Sequence, residues 1–364
     1  MEHQSSAQTV AAHRPGDAAS VELNLCNLRL FSYGVYANVY IGELKENGRT
    51  ITVAVKKCWN QTEDCKEVRI LQKLNQTKPK NIVNLLYLFQ TRYGEKTCFS
   101  LVMNFMPMSL STHIKKFKPT PLSHLDTKLF TWQIFRALQF LRKHRIIHRD
   151  LKPQNILLDP GIGLIQVADY GSSAIVGEQR TMSSYHVTRY YRPPELLLGA
   201  HVYGMEIDVW SAGCVFGEML RGRTFLAGLT TDDQLWKIIN TFGMPSDVEK
   251  VAMNIRKVKL LTEQSARSAE KVFSKRGANG LKELCPHAPD DALKLLQQVM
   301  VYSPQKRLCG PKFLGDKYFD ELFDPHTLRE GKPITVVTKA DLAMAVAGDK
   351  SKEDLSSFTG ALSN

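Results

Sequence analysis

The chain has 364 residues, a hydrophobic fraction of 43% and a formal net charge of +12. This length allows one large domain or two lobes of ordinary size, and the composition supports a packed core. The positive residues are dispersed and accompany neither a zinc spacing nor an aromatic RNA motif, so nucleic-acid binding ranks low. Seven scattered cysteines without a C-x-x-C pair argue against a disulfide framework and favour a reducing compartment.

The N-terminal segment lacks the features of a targeting sequence. Its first 20 residues have no apolar signal core, and no later run approaches the ~20 apolar residues of a membrane helix. We expect no membrane partner, and a location in the cytoplasm with the nucleus as a second compartment. Residues 1–22 are small, polar and unpatterned, which predicts a disordered tail.

Strand-like runs dominate residues 23–103. They are "LRLFSYG", "ANVYIGEL", "TITVAVKKC", "IVNLLYLFQT" and "TCFSLVMNF", with turn signals such as "KENGR" between them. One segment, "EDCKEVRILQKL", instead places apolar residues at the spacing of an amphipathic helix. The pattern predicts a small lobe built from a five-stranded sheet and one helix.

Helical periods follow from residue 108 onward. "LDTKLFTWQIFRALQFLRKH" is a long helix by its period, and "TDDQLWKIINTFG" and "DDALKLLQQVMVY" are shorter ones. "EIDVWSAGCVFGEMLRG" is apolar nearly all round, which predicts a helix at the centre of a lobe. Residues 336–364 are predicted to form a loose C-terminal tail. The sequence therefore indicates an α+β protein whose second lobe is mainly helical.

The strongest chemical signal is "IIHRDLKPQNILLD" at 146–159, followed by "VADYG" at 167–171. Asp150 can orient an attacking hydroxyl, and Lys152 can reach the same phosphate. Asn155 and Asp169 offer oxygen ligands that suit Mg²⁺. The segment between them predicts a hairpin with "PGIG" as its turn, which would bring both ligands together.

These two motifs resemble the catalytic loop and metal-binding turn of eukaryotic protein kinases. The resemblance implies a two-lobed protein kinase fold over residues 23–335, with a small lobe at 23–103, a hinge at 104–107 and a large lobe at 108–335. It also implies ATP and Mg²⁺ as cofactors and proteins as substrates.

Further positions fit this resemblance. It implies that Lys56, in "VAVKK", holds the α and β phosphates and is itself held by Glu67, in "CKEVRI". Glu195, in "RPPE", is expected to pair with Arg307. The positions with structural rather than chemical roles are His148, Asp208, Glu195 and Arg307.

The phosphate-covering loop departs from the kinase pattern. In "RLFSYGVYANVYIGEL", Gly34 is the middle one of three expected glycines, and Ser32 and Ala37 replace the outer two. Val39 is placed to pack on adenine. A stiffer loop leaves two interpretations open: an active kinase, or a pseudokinase that binds nucleotide or a partner without transferring phosphate. The retained metal and hydroxyl ligands favour the active enzyme.

The segment "SSYHVTRYYRPPELLLGAHVYGMEIDVWSAGCVFGEML" resembles the CMGC group of kinases and, within it, glycogen synthase kinase-3. The similarity covers most of residues 25–335 and implies a serine/threonine protein kinase. It implies further adenine contacts at Ala54, Met103, Asn104 and Met106, with Met103 as gatekeeper. It also implies activation-loop roles for Tyr185, Thr188, Arg189 and Arg192: Thr188 would bridge Asp150 and Lys152, and Tyr185 would be a phosphotyrosine near the two arginines.

The same family reads a phosphate four residues downstream of the acceptor, using three basic side chains. By the resemblance, two of these are Lys66 and Arg149, but the third position is Ala174. Lysine cannot grip phosphate bidentately. We therefore expect a weakened preference for primed substrates. The family also docks scaffold proteins on its large lobe, but that region matches only in part, so scaffold binding stays open.

Overall fold

The structure, a computed structural model, describes residues 7–34, 37–46, 48–59, 66–177, 188–255 and 280–347. Strands dominate up to residue 104 and helices from residue 110, as expected for the two-lobed α+β fold. None of the helices in these ranges combines the length and apolar character that a membrane span needs.

A closed barrel of six antiparallel strands forms the small lobe. The strands are β1 (Gln8–His13), β2 (Ser20–Tyr33), β3 (Ala37–Glu46), β4 (Arg49–Trp59), β5 (Leu85–Tyr93) and β6 (Lys96–Asn104). Their order around the barrel is β1-β2-β3-β4-β6-β5, and His13 opposite Leu88 joins the first strand to the last. The barrel encloses its own apolar core, which includes Leu25, Val55 and Val102.

The prediction of a disordered tail at residues 1–22 is wrong from residue 8 onward. β1 pairs with β2 along its whole length, from Gln8 opposite Leu25 to His13 opposite Ser20. Ala12 is fully buried in the barrel core. The five-stranded prediction missed this sixth strand because "QTVAAH" contains small residues whose apolar alternation is weak. Residues 1–6 lie outside the described ranges.

We expect Ala12→Asn to lower the free energy of unfolding by about 1–3 kcal/mol, because it buries an amide that lacks a partner. Ala11→Asn is the matched control, because Ala11 is exposed one residue earlier in the same strand. Its effect should stay within about 0.5 kcal/mol. Urea unfolding of both variants measures the difference, and equal effects would mean that β1 does not close the barrel.

The predicted amphipathic helix of the small lobe is α1 (Lys66–Asn75). It buries Val68, Ile70, Leu71 and Leu74 against the rest of the protein. Glu67 lies in its first turn, where a negative charge is favourable at the helix N-terminus.

The helices of the large lobe are α2 (Leu110–Phe117), α3 (His124–Lys143), α4 (Pro194–Leu197), α5 (Glu206–Arg221), α6 (Thr231–Phe242), α7 (Asp247–Ala252), α8 (Gly280–Leu284), α9 (Asp290–Val299), α10 (Gly310–Leu314) and α11 (Lys339–Val346). Short 3₁₀ turns lie at Pro153–Asn155, Tyr170–Ser172, Arg189–Tyr191, Pro304–Lys306 and Lys317–Phe323. α5 is buried from Ile207 to Leu220, so the prediction of a central apolar helix is confirmed.

Short strands position the loops between these helices. They are β7 (Met108–Ser109), β8 (Ile146–Ile147), β9 (Ile156–Asp159), β10 (Leu164–Val167), β11 (Ala174–Ile175), β12 (Leu328–Arg329) and β13 (Lys332–Pro333). β9 and β10 form the predicted hairpin, with Ile156 opposite Val167 at its base.

The prediction of a loose tail is wrong for residues 336–346. Val336 and Val337 are buried, and a capping box between Thr338 and Asp341 begins α11. Ala345 is fully buried, and its carbonyl accepts a hydrogen bond from Gln139. The apolar residues of "ADLAMAV" do not repeat with a clear helical period, which explains why the pattern did not predict a helix. Residues 348–364 lie outside the described ranges.

Candidate active site

One lysine joins the small lobe to the metal-binding turn. Lys56 lies in β4, opposite Val39 of β3. Its Nζ donates to Glu67 Oε1 at 2.6 Å and to Asp169 Oδ1 at 3.1 Å. The expected pair of Lys56 and Glu67 is thus present, and Asp169 shares the same ammonium.

The charges of this triad stabilise one another. Burial alone would lower the pKa of Lys56, but the adjacent carboxylates of Glu67 and Asp169 outweigh burial and raise it. Burial would raise the pKa of Asp169, yet the charge and hydrogen bond of Lys56 lower it overall. Lys56 is therefore a cation and Asp169 an anion at neutral pH, as phosphate and metal binding require.

The carboxylate of Asp150 is oriented through both of its oxygens. Thr188 Oγ1 donates to Oδ1 at 2.7 Å, and Lys152 Nζ donates to Oδ2 at 2.7 Å. Lys152 also donates to Thr188 Oγ1 at 3.1 Å, so the three side chains form the expected bridge. Asn155 Nδ2 adds donations to the carbonyl of Asp150 at 2.8 Å and to Oδ2 at 3.1 Å.

A buried aspartate of α5 fixes the loop that carries Asp150. Asp208 accepts from the backbone N–H groups of His148 and Arg149, at 2.7 and 2.9 Å. His148 Nε2 lies 3.0 Å from the carbonyl of Ala168, which can only accept, so the ring donates. The catalytic loop is thereby attached to the central helix and to the residue before Asp169.

The oxygens of Asn155 and Asp169 suit a hard cation. The hairpin ties their backbones together, since Ala168 N donates to the carbonyl of Asn155 at 2.9 Å. The side-chain nitrogen of Asn155 donates to Asp150, so the side-chain oxygen of Asn155 is the atom available as a metal ligand. No cluster of three or more His, Cys, Asp or Glu able to hold a metal occurs among the described residues. Mg²⁺ commonly completes such a sparse set with substrate phosphates.

Tyr170 occupies the aromatic position of the metal-binding turn. It is fully buried and packs edge-on against His148, with ring centroids 5.1 Å apart. Its hydroxyl donates to the carbonyl of Val167 at 3.3 Å, and burial raises its pKa. The extra hydroxyl of tyrosine therefore has a partner in this turn.

The modified glycine loop shows no backbone strain at its described positions. Ser32 pairs with Val39 in the extended β2–β3 ladder, Ala37 pairs with Cys58 in the β3–β4 ladder, and neither Ser32 nor Gly34 has a positive φ. A Cβ on Gly34 would lie 2.8 Å from the carbonyl oxygen of Ala37. Gly34 is thus required by a close backbone approach, while Ser32 and Ala37 fit their strands. The loop tip, at residues 35 and 36, lies outside the described ranges.

The predicted adenine positions lie on neighbouring strands. Ala54 of β4 pairs with Met103 of β6, Asn104 ends β6, and Met106 is buried just beyond it.

Sequence reasoning missed an aromatic pair beside this hinge. Phe31 of β2 and Phe105 lie edge-to-face, with centroids 5.4 Å apart. β2 and β6 are not hydrogen-bonded neighbours in the barrel, so no local spacing in the sequence links these two rings.

The activation segment lies only partly within the described ranges. Arg189 Nη1 donates to the carbonyl of Leu229 at 2.6 Å, and Arg192 is buried. Tyr185 lies outside the described ranges, so its pairing with these arginines stays a prediction. Arg307 and Glu195 form the expected pair, bidentate at 2.7 Å for both contacts.

The two cations assigned to the substrate phosphate are partly or almost fully buried in the described part of the chain. Lys66 is the first residue of α1 and half-buried. Arg149 is only 2% exposed, and its guanidinium donates to the carbonyls of Ser172 and Ser173. Ala174 is buried in β11. The guanidinium therefore donates to the metal-binding turn, and its contact with a substrate phosphate stays a prediction.

Comparison with known proteins agrees with this geometry. The family model described as "Protein kinase domain" matches residues 28–319. The chain belongs to the protein kinase family. It resembles the CMGC group and glycogen synthase kinase-3 within it, and is a serine/threonine protein kinase.

Three curated relatives carry this similarity. "Protein kinase gsk3" of Schizosaccharomyces pombe is 33% identical over 301 residues, covering 81% of this chain and 73% of the relative. "Putative serine/threonine-protein kinase gskl-1" of Caenorhabditis elegans is 34% identical over 273 residues, covering 71% and 72%. "Serine/threonine-protein kinase RIM11/MSD1" of Saccharomyces cerevisiae is 30% identical over 327 residues, covering 88% and 83%.

Proposed function

We propose that this kinase is catalytically active and transfers the γ-phosphoryl group of Mg²⁺-ATP to serine or threonine hydroxyls of proteins. The observation that supports this most is the assembly of the site. Lys56 binds Glu67 and Asp169 at once, while Asp150 bridges to Lys152 and Thr188. Phosphoryl transfer depends mainly on positioning and charge, so a site already in register is the main requirement.

Each side chain has a role that its contacts allow. Asp150 orients the acceptor hydroxyl and accepts its proton, because Thr188 and Lys152 hold its carboxylate in place. Lys152 is placed to offset charge on the transferred group. Lys56 is placed to offset charge on the α and β phosphates. Asn155 and Asp169 would hold Mg²⁺, which offsets phosphate charge when bound.

The alternative is a pseudokinase, and the two replaced glycines favour it. Their replacements, Ser32 and Ala37, lie in paired strands, which weakens that argument. Transfer of labelled phosphate from ATP to a peptide library by the purified chain separates the two proposals. Nucleotide binding without transfer to any peptide would support the pseudokinase.

We also propose that this kinase has little preference for primed substrates. The family resemblance assigns three positions to the priming phosphate. One of them is Ala174, which carries no charge, and another, Arg149, is buried against carbonyls of its own chain. Lys66 alone provides a single, monodentate contact.

The primed form of a peptide, phosphorylated four residues downstream, should therefore have a kcat/KM less than about fivefold above its unprimed form. One partly exposed ionic contact supplies no more than that. Lys66→Met is the matched variant, and we expect it to bring the ratio close to one by removing the remaining cation. A large primed advantage in the unmodified chain would overturn the proposal.

A further inference from the structure

The C-terminal helix α11 reaches the loop between α1 and β5 through one lysine. Lys80 Nζ donates to Asp341 Oδ2 at 2.9 Å and to the carbonyl of Val336 at 3.2 Å. Lys80 and Asp341 are 261 residues apart in the chain. This ion pair therefore connects a loop of the small lobe with the last helix described.

The acidic partner of Lys80 is held in place by its own helix. Asp341 Oδ2 accepts from the backbone N–H of Thr338 at 2.9 Å and from its hydroxyl at 2.8 Å. At the far end of α11, the carbonyl of Ala345 accepts from Gln139 of α3 at 2.8 Å. α11 is thus attached to the large lobe at its C-terminal end, and its own capping box holds Asp341 in place.

The loop that carries Lys80 is attached to α1. Asn75, the last residue of α1, donates from Nδ2 to the carbonyl of Leu71 at 2.9 Å. Its Oδ1 accepts from the N–H of Leu85 at 3.0 Å, so one buried side chain closes both ends of the loop. A shift of this loop therefore moves the end of α1.

The same loop is attached to β10. Val83 N donates to the carbonyl of Val167 at 3.0 Å, and Val167 N donates to the carbonyl of Asn81 at 2.9 Å. Asn81 Nδ2 adds a bond to the carbonyl of Ile165 at 3.0 Å. The Lys80 backbone also takes part, since its carbonyl accepts from Gln166 Nε2 at 3.2 Å.

The two elements to which the loop is attached, α1 and β10, position the two carboxylates that hold Lys56. α1 carries Glu67, and β10 ends two residues before Asp169. We propose that Lys80 is a positioning residue: the bond between Lys80 and Asp341 fixes the loop at which α1 and β10 meet, and so keeps Glu67 and Asp169 in register about Lys56. The effect on catalysis rests on the proposed function, whereas the effect on the loop does not.

Lys80→Met tests the proposal in the full-length chain. We expect kcat with ATP to fall about two- to fivefold, the range available to a partly exposed ion pair. Amide hydrogen exchange in α1 and at residues 164–170 should rise by a similar factor. Asp341→Asn should do the same, because an amide keeps the acceptor for Thr338 but loses the charge. Lys80→Arg keeps the charge, so its kcat and its amide exchange should stay close to those of the unmodified chain.

Lys282→Met is the matched control. Lys282 Nζ donates to Asp290 Oδ1 at 2.9 Å and to the carbonyl of Ala288 at 3.2 Å, the same pattern of contacts within the large lobe. It should change neither kcat nor exchange in α1.

The proposal is overturned if Lys80→Met and Lys282→Met give the same exchange in α1 and the same kcat. Hydrogen exchange separates this result from a failure of the proposed function. If the chain transfers no phosphate, faster exchange in Lys80→Met still supports the attachment. If the chain is active and exchange is unchanged, the positioning role alone is wrong.

Discussion

Asp150→Asn should lower kcat by about 10²–10⁴-fold, the usual contribution of a positioned general base. An amide of the same shape keeps one of the two acceptor oxygens, so it can accept from Thr188 or from Lys152 but not from both, and it cannot take the proton of the substrate hydroxyl. Because Asp150 contacts neither Lys56 nor Asp169 in any bond described above, nucleotide affinity should stay close to that of the unmodified chain. Steady-state transfer to a peptide and equilibrium binding of nucleotide measure the two quantities.

Lys56→Met is the companion variant and affects the other half of the site. It removes the cation shared by Glu67 and Asp169, so we expect it to weaken nucleotide binding as well as transfer. Activity that survives in both variants would indicate a contaminating kinase. If the unmodified chain transfers nothing, the loss predicted for Asp150→Asn has no meaning and the pseudokinase proposal gains.

The chemical core of the site could be predicted from sequence because it is local. Asp150, Lys152 and Asn155 lie within six residues, and one hairpin returns Asp169 to them. The short turn "PGIG" and the strands on either side were enough to predict that return. Lys56 and Glu67 are also close in sequence, eleven residues apart.

Most of the features that the sequence did not predict depend on contacts between segments that are distant in the chain. β1 was missed because its burial comes from closure of the barrel, where His13 meets Leu88. α11 was missed because its apolar pattern lacks a helical period and its contact with Gln139 is non-local, although its capping box of Thr338 and Asp341 is a local signal. The direction of the Arg149 side chain could not be read from its position in a motif, since Ser172 and Ser173 present their carbonyls only after the turn has folded.

The pair of Glu195 and Arg307 was expected from the family resemblance, but its energetic weight comes from burial. The two side chains are 2% and 0% exposed, and both contacts measure 2.7 Å. Arg307 also donates to the carbonyls of Glu206 and Val301, and lies 5.1 Å from the Trp210 ring. The pair therefore connects the end of the activation segment to α5 and to the loop after α9.

We expect Arg307→Met to lower the free energy of unfolding by about 3–5 kcal/mol, because it leaves the carboxylate of Glu195 buried without its counter-charge. The stability of Arg307→Lys should lie between those of the unmodified chain and Arg307→Met, since lysine keeps the charge but loses the bidentate fork. Urea unfolding, followed by tryptophan fluorescence and by circular dichroism, measures the change and tests whether one transition describes it.

Two further variants identify the cause of that loss. Adding Glu195→Gln to Arg307→Met should recover part of the stability, because the unpaired charge is removed while the cavity remains. Lys128→Met breaks an ion pair of similar length, 2.8 Å to Glu321, whose carboxylate side chain is 48% exposed, and should cost less than about 1 kcal/mol. If Arg307→Met costs no more than Lys128→Met, burial does not strengthen the dependence of Glu195 on its partner. If the double variant is no more stable than the single one, lost packing against Trp210 accounts for the effect instead.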